Sequence, residues 1–341
     1  MSDGKLDRRG FLAGAAGLTG VALSVGAWKP VFAMETGPRE ALNGHIQIKI
    51  GQIVLKLGES TTGLLFEAEG GSAFTDVIES APAGSGGVTT KKIPGNLKWS
   101  NVTLKHGITS MDKTYFDWVA GAIAGKPVAM SGSIAGATED LTIVTQTNFF
   151  NALITEVGFP ALDAASKDAA KMTIKFQPES TRPGPAGGKV SSFILHRGWP
   201  SKVSIGSFKL TINGMDTSFV TKIDPVNIKL NYTSSEGSLE NLPRLASVDA
   251  PNMKITVLEG QAKDFFAWHQ DFVINGNNGP ENEKTGSLSF LSGDFKTELF
   301  RLDLSGLGIF DLEPDPLTLT NEVRHVTAQL YCDKMIFNFK L

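Results

Sequence analysis

The chain has 341 residues, of which 41% are hydrophobic and 20% are charged, so it can bury a globular core and is long enough for two domains of about 150 residues each. Its formal net charge of −3 and its pI near 6.0 offer no basic field to a phosphate backbone. This charge argues against nucleic acid as a direct ligand.

The first 33 residues have the pattern of an export signal. Arg8 and Arg9 precede a small, apolar run over residues 11–27, and Ala33 ends a small-residue cleavage motif. The paired arginines are typical of the twin-arginine export route. An uncleaved membrane anchor is the alternative, but the run is short and weakly hydrophobic for a span of about 20 residues. We therefore predict a signal peptide over residues 1–33 and a periplasmic or extracellular protein.

After the signal, apolar and polar residues alternate with a period of two, which is typical of half-buried strands. Ile53, Leu55 and Leu57 begin the pattern. The same alternation predicts further strands at residues 172–176, 208–212, 226–232 and 253–257. The predicted fold class is therefore mostly β.

Two segments have the spacing of amphipathic helices, and Ser110 is placed to cap the first of them. Their apolar stripes consist of Phe116, Val119, Ala120 and Ile123 in the first segment and of Phe265, Trp268, His269 and Phe272 in the second. Trp118 and Trp268 could form a carbohydrate-binding platform, but tryptophans on such stripes more often lie in the core. We predict that Phe116, Trp118, Val119 and Trp268 hold the two helices against their sheets.

The two halves of the chain show the same order of features at an offset of about 150 residues. Matching segments start at Gly51 and Gly206, at Asn101 and Asn252, at Gly158 and Gly308, and at Lys171 and Lys334. The pattern predicts a tandem duplication, with one domain over residues 42–181 and a second over residues 190–341. A Pro- and Gly-rich linker over residues 182–189 would join them.

The run KKIPGNLKW, which begins at Lys91, combines a Pro-Gly pair with basic residues and then alternates like a strand. Because proline presets the backbone of a β-turn, we expect Pro94 and Gly95 to form the turn of a hairpin. Lys91, Lys92 and Lys98 would be exposed around it. An ordinary solvated turn and a contact between subunits both fit this pattern.

The stretch from this run to the first helix resembles the tail tube proteins of contractile phage particles, in which KxPGxxKxxNxTLxxG precedes a tryptophan-bearing helix. The matching residues are Lys92, Pro94, Gly95, Lys98, Asn101, Thr103, Leu104, Gly107, Asp117 and Trp118. The resemblance covers both halves, residues 42–341, and is weaker in the second. It implies two small β-barrel or sandwich domains, each with a short flanking helix, and a non-catalytic role in rings that stack into a hollow tube.

The resemblance also implies partners. In that family the hairpin reaches a neighbouring subunit or ring, so Lys91, Lys92, Pro94, Gly95 and Lys98 are the expected contact residues. Since six single-domain subunits form one ring, three two-domain chains would close a trimeric ring with pseudo-sixfold symmetry. Other tail or baseplate-like proteins are further candidate partners, and the protein would belong to a phage-tail-like particle.

The export signal departs from this family, whose tubes assemble in the cytoplasm. The departure keeps open a second function, that of an exported β-barrel binding or scaffold protein that does not polymerise, and a third, that of an exported hydrolase. Assembly separates the first two functions, because only a tube protein forms discs or rods.

The sequence contains no catalytic or metal-binding pattern that supports an enzyme, and we predict no cofactor. Asp311, Glu313 and Asp315 have the spacing of a calcium loop, but Pro316 replaces the glycine that turns such a loop. Cys332 lies in a strand pattern, which predicts a buried and inert thiol. The histidines are scattered without ligand spacing, at positions His45, His106, His196, His269 and His325.

The export signal is directly testable. Replacement of both Arg8 and Arg9 by lysine is expected to leave the precursor in the cytoplasm, because the arginine pair is the determinant of the route. Cell fractionation and immunoblotting measure this outcome. A mature product exported at the wild-type rate would contradict the twin-arginine assignment.

Overall fold

The computed structural model describes residues 49–80, 91–190, 203–233, 243–319 and 322–340. Most of these residues lie in strands, which confirms the predicted mostly-β class. The strands of the first half are β1 (Gln52–Leu57), β2 (Ser60–Leu65), β3 (Glu67–Gly70), β4 (Ala73–Ser80), β5 (Lys91–Trp99), β6 (Val102–Gly107), β7 (Met130–Ala137), β8 (Ile143–Phe159), β9 (Leu162–Asp163), β10 (Lys171–Gln177) and β11 (Ser180–Pro183).

The second half contains eight described strands and repeats the helix position. These strands are β12 (Phe208–Ile212), β13 (Val220–Ile223), β14 (Val226–Thr233), β15 (Arg244–Asp249), β16 (Met253–Leu258), β17 (Lys284–Leu291), β18 (Glu298–Pro314) and β19 (His325–Phe339). Helix α1 (Lys113–Ile123) belongs to the first half, and helix α2 (Lys263–His269), which continues as a π-helical turn at Gln270–Ile274, belongs to the second. Among the described residues, no helix has the length and apolarity needed to span a membrane.

The two halves have the same strand order. In the first half, neighbouring strands follow the order β1-β7-β8-β10-β6-β3, and in the second half they follow β12-β17-β18-β19-β16-β13. The pairing is antiparallel throughout both series. Each strand of the first series therefore has a counterpart at the same place in the second.

Local irregularities also recur at matching positions. The β8–β10 ladder skips Thr155, and the β18–β19 ladder skips Phe310 at the same point. Leu141 and Phe295, in the turns before β8 and β18, both have a positive φ. The hydroxyl of Thr62 donates to the carbonyl of Leu55, and Thr217 makes the same bond to Leu210. Because bulges and left-handed residues are local features that a general sheet does not require, the two halves share more than their strand order.

The strand pairings match some residues of the two halves differently from the sequence prediction. Val157 pairs with Ile174, and their counterparts by strand order and bulge position are Leu312 and Ala328. Gly158 therefore corresponds to Glu313 rather than to Gly308. The strand that matches β10 is the beginning of β19, not the later run from Lys334. The sequence match paired similar residues in strands of unequal length. β19 continues as one strand where the first half breaks into β10 and β11.

The predicted helices are confirmed, but the cap of the first is wrong. Asp112 is the N-cap of α1 and its carboxylate accepts a hydrogen bond from the backbone N–H of Tyr115 at 3.1 Å. Ser110 instead donates from its hydroxyl to the carbonyl of Gly107 at 2.9 Å. Both residue types cap helices well, and the turn that follows β6 decides between them.

The segment predicted as a linker lies along β8. Arg182 and Pro183 end β11, which pairs with Asn148 and Thr147, and the backbone of Gly184 bonds to Gln146. Residues 182–189 are therefore part of the edge of the first sheet. The domain limits at 42–181 and 190–341 stay a prediction.

The two halves share one continuous core. Phe159, at the end of β8, contacts the rings of three second-half phenylalanines at centroid distances of 5.7–6.0 Å. Those partners are Phe290, Phe300 and Phe337. Phe116 of α1 lies 5.4 Å from Phe339 of β19. The halves are thus packed against each other as tightly as the layers of one domain.

The tryptophans on the two helices are both buried, but only one is hydrogen-bonded. The indole N–H of Trp118 donates to the carbonyl of Val128 at 2.8 Å, and its ring lies 5.7 Å from Phe176. Among the described residues, the N–H of Trp268 has no partner. The predicted core positions of Phe116, Trp118, Val119 and Trp268 all coincide with buried side chains.

Replacement of Trp118 by alanine is expected to lower the free energy of unfolding by about 3–5 kcal/mol, since it opens a cavity beside Phe176. Replacement by phenylalanine separates packing from hydrogen bonding. Trp118→Phe should cost about 1 kcal/mol more than Trp268→Phe, because only the first leaves a carbonyl unpaired. Denaturant unfolding measures both differences, and equal costs for the two phenylalanine variants would contradict the role of the Val128 bond.

Candidate assembly interface

The predicted contact residues lie on a hairpin that stands apart from both large sheets. Among the described strands, β4 and β5 pair only with each other, from Ala73 opposite Trp99 to Ser80 opposite Lys91. All the residues predicted for the contact, Lys91, Lys92, Pro94, Gly95 and Lys98, belong to β5. The structure therefore places them together on one strand of a separate hairpin.

The prediction that Pro94 and Gly95 form a turn is wrong. Pro94 pairs with Val77 inside the ladder, and the connection from β4 to β5 falls in residues 81–90, outside the described residues. The ladder shifts between Thr75 and Val77, and a bulge on a two-stranded ribbon tolerates a residue without an N–H. A Cβ on Gly95 would lie 3.1 Å from the carbonyl oxygen of Asp76, which favours glycine there.

The hairpin lysines form ion pairs within the hairpin. Lys98 bonds to Asp76, and Lys92 lies 3.5 Å from Glu79. All four side chains are largely exposed, so each pair contributes at most about 1 kcal/mol. Lys92 and Lys98 are therefore each compensated by a carboxylate of the same hairpin.

The hairpin exposes apolar side chains instead. They are Phe74, Val77, Ile78, Ile93 and Leu97. A monomer seldom exposes so many large apolar residues on one projecting ribbon, and the outer edge of β4 carries no other described strand. The hairpin thus offers an edge and an apolar surface to a partner.

The matching hairpin of the second half is docked. β14 and β15 pair with each other, and β14 also adds to the edge of β8 in the first half. Residues Val226–Lys229 face Glu156–Phe159 in an antiparallel ladder, with Lys229 opposite Glu156. One half therefore extends the sheet of the other by β-strand addition.

A second strand contact crosses between the halves. β9 follows β8 and pairs with the outer edge of β13, where Asp163 lies opposite Lys222. Their side chains form an ion pair at 3.2 Å. The end of β8 and the segment after it therefore hold two consecutive strands of the other half.

Helix α1 lies beneath the docked hairpin. Its C-terminal residue Ile123 lines a small cavity together with Ile228 and Val248 of the hairpin and with Met335 of β19. Phe116 is covered by Phe337 and Phe339 of the same strand. The apolar side of α1 is therefore closed by the second half.

A buried polar pair anchors α1 to the first sheet. His106 of β6 donates from Nδ1 to the carbonyl of Gly107 at 2.8 Å, and its Nε2 lies 2.5 Å from the hydroxyl of Tyr115. Because a carbonyl only accepts, Nε2 is the acceptor for the tyrosine proton. Burial lowers the pKa of His106 to about 4 and raises the pKa of Tyr115 well above its usual value.

An open cavity of about 850 Å³ lies between the docked hairpin and β8 and carries several amide groups. Asn151 donates to the carboxylate of Glu179 at 2.6 Å, and Gln177 donates to the carbonyl of Trp99 at 2.8 Å. The hydroxyl of Tyr232 donates to the carbonyl of Ile154 at 2.8 Å. The bonds of Gln177 and Tyr232 fasten the bases of the two hairpins to the first sheet.

The described residues contain no cluster of three or more potential metal ligands. Asp311 accepts a hydrogen bond from Gln329, and Asp315 accepts one from the backbone of His325, so both carboxylates serve the β18–β19 ladder. Cys332 is buried, and desolvation raises the pKa of its thiol, which opposes nucleophilic reactivity.

The structure leaves one group of predicted residues undescribed and contains strand contacts that the sequence pattern did not predict. Arg8, Arg9 and Ala33 of the export signal lie outside the described residues. The sequence pattern identified β14 as a strand but not its addition to β8, and it missed β9 altogether. In this ladder, the opposite charges of Lys229 and Glu156 are the one feature from which the sequence could have indicated the pairing.

Comparison with known proteins matches the first half. A family model described as T4-like virus tail tube protein gp19 matches residues 47–182, which is less than half of the chain. This match confirms the resemblance stated above for the first half. No curated protein matches the chain significantly.

Three solved structures each align with about two fifths of the chain. The anti-feeding prophage tube terminating cap is 21% identical with a TM-score of 0.37, and the alignment covers 43% of this chain and 97% of that one. The PVC sheath-tube complex of an extracellular contractile injection system is 21% identical with a TM-score of 0.36, and the alignment covers 41% of this chain and 93% of that one. Hcp1 from Flavobacterium johnsoniae is 12% identical with a TM-score of 0.27, and the alignment covers 41% of this chain and 98% of that one.

Because buried His106 anchors α1 in its neutral form, we expect the protein to lose stability in mild acid. The folded-state pKa of His106 lies below its unfolded value near 6.5, so its contribution is complete above pH 6.5 and is lost as the pH falls towards 4. The loss reaches about 3 kcal/mol, since one pKa unit corresponds to about 1.4 kcal/mol. Chemical unfolding at pH 7.0 and 4.5 measures it, and a His106→Gln variant with an unchanged pH dependence would contradict this assignment.

Proposed function

We propose that the chain is a non-catalytic structural protein that assembles into rings, and the match of residues 47–182 to the model of the T4-like virus tail tube protein gp19 supports this proposal. The observation that carries the proposal is the addition of β14 to β8. Two halves of equal strand order are joined side by side by this ladder, as two neighbouring places of a ring would be. The equal order also supports a tandem duplication.

Three such chains would close a ring of six lobes. A ring needs a contact that repeats head to tail and returns to its start. The contact between the halves is of this kind, because each half contributes a different surface to it. If every half occupies one of six places, the ring alternates between a contact within a chain and a contact between chains.

We propose further that the twin-arginine signal at Arg8 and Arg9 exports the chain before assembly, and that its partners are copies of itself and other tail-like proteins. The exposed apolar hairpin supports a partner-bound state. A binding or scaffold protein that does not polymerise is the alternative, and the same hairpin would then remain solvated or hold a different ligand.

Native mass spectrometry and negative-stain electron microscopy test the ring. The expected species has three times the mass of one chain and appears as a disc with six lobes of two alternating shapes. The control is Val77→Asp with Ile78→Asp, which leaves the core untouched and should shift the sample towards monomer. A wild-type protein that stays monomeric at micromolar concentration, or a disc of six chains, would reject the proposal.

A further inference from the structure

We propose that the β4–β5 hairpin of one chain docks on the free edge of β18 in a second copy, in the register that joins β14 to β8. The proposal rests on the ring function and identifies the surfaces that close it. Its basis is that each element of the contact between the halves has a counterpart on the chain against which no described strand is paired in the same way.

The first counterpart is a sheet edge. β17 pairs with β18 only as far as Leu307, so on this side residues 308–314 of β18 pair with no described strand. They correspond to residues 153–159 of β8, of which residues 156–159 pair with β14. An unpaired edge of this length is a template for an added strand.

The second counterpart is the helix beside the edge. Phe116 and Ile123 of α1 are 1% and 3% exposed, because the second half covers them. When Trp268 is aligned with Trp118, Phe116 and Ile123 match Phe266 and Val273 on α2 and its π-helical turn, which are 40% and 39% exposed. The second helix thus carries the same apolar surface without its cover.

The third counterpart follows the edge. Leu162 of β9, three residues beyond Phe159, is 2% exposed in its pairing with β13. Leu317 lies three residues beyond Pro314 and is 89% exposed. The partner strand of a second copy would be β3, which corresponds to β13 and forms the outer strand of the first sheet.

The ladders fix the register of the new contact. Ala68 of β3 and Ile223 of β13 hold the same place in their sheets, because they face Leu104 and Ile255, which in turn face the matched residues Ile174 and Ala328. Phe74 and Lys229 each lie six residues further along the chain. Phe74 therefore takes the position of Lys229, and Asp311 takes the position of Glu156. In this register Phe74 of one chain faces Asp311 of the next, and Ser72 faces Glu313.

Disulfide trapping tests this register. Two chains are made in a Cys332→Ala background, one with Phe74→Cys and the other with Asp311→Cys, and they are mixed and oxidised. Opposed residues on antiparallel strands lie about 4.5–5.5 Å apart between Cα atoms, which permits a disulfide. A covalent dimer is expected in the mixture and none in either chain alone.

The experiment has one positive and one negative control. Lys229→Cys with Glu156→Cys in one chain should form an internal disulfide, seen as the loss of both free thiols without a covalent dimer, which shows that the ladder position accepts the bond. Phe74→Cys mixed with Lys296→Cys should give no dimer, because Lys296 lies at the opposite end of β18. A dimer in this second mixture would overturn the proposed register.

The outcomes for the contact and for the ring are separate. Three-chain rings without a Phe74–Asp311 disulfide would overturn the contact and leave the ring function standing. A disulfide without closed rings would support the contact and reject the ring. A monomer that forms no intermolecular disulfide would overturn both.

Discussion

The ladder between β14 and β8 is the constraint on which the rest of the molecule depends. It places Val226–Lys229 against Glu156–Phe159 and thereby brings Phe159 into the aromatic core of the second half. Main-chain pairing supplies direction and register, while the buried rings supply most of the apolar stabilisation. Without this ladder, the second half would leave α1, β8 and Phe159 exposed together.

The same ladder explains why two similar halves have different surfaces. The first half presents a helix whose apolar side is covered and a hairpin outside both large sheets, and the second presents a helix with an exposed Phe266 and a docked hairpin. A head-to-tail contact always leaves one unused surface of each kind at the ends of the series. In the proposed ring, Phe266 and the β4–β5 hairpin would be those two ends.

The sequence was a good guide to local structure and a poor guide to contacts between the halves. Alternation located β10, β12, β14 and β16, and the apolar stripe located α1, because each pattern is decided within a few residues. The Pro-Gly pair was misread, since a bulge in a ribbon and a turn use the same residues. The β14–β8 ladder could not be predicted, because alternation shows which face of a strand is buried but not which strand lies beside it.

The two contacts differ in strength for a reason that is visible in the residues. Phe159 is buried among aromatic rings, whereas Pro314 occupies the matching place on β18 and is exposed. A contact between chains would therefore depend on strand pairing, on the apolar side of α2 and on Leu317, without the aromatic anchor that joins the halves. Asp311, Glu313 and Pro314 also make the free edge of β18 unsuited to indiscriminate pairing, as charges and proline do on other edges. In the proposed ring, the fold would thus combine an internal contact that has an aromatic anchor with a weaker external one that favours a strand of matching register.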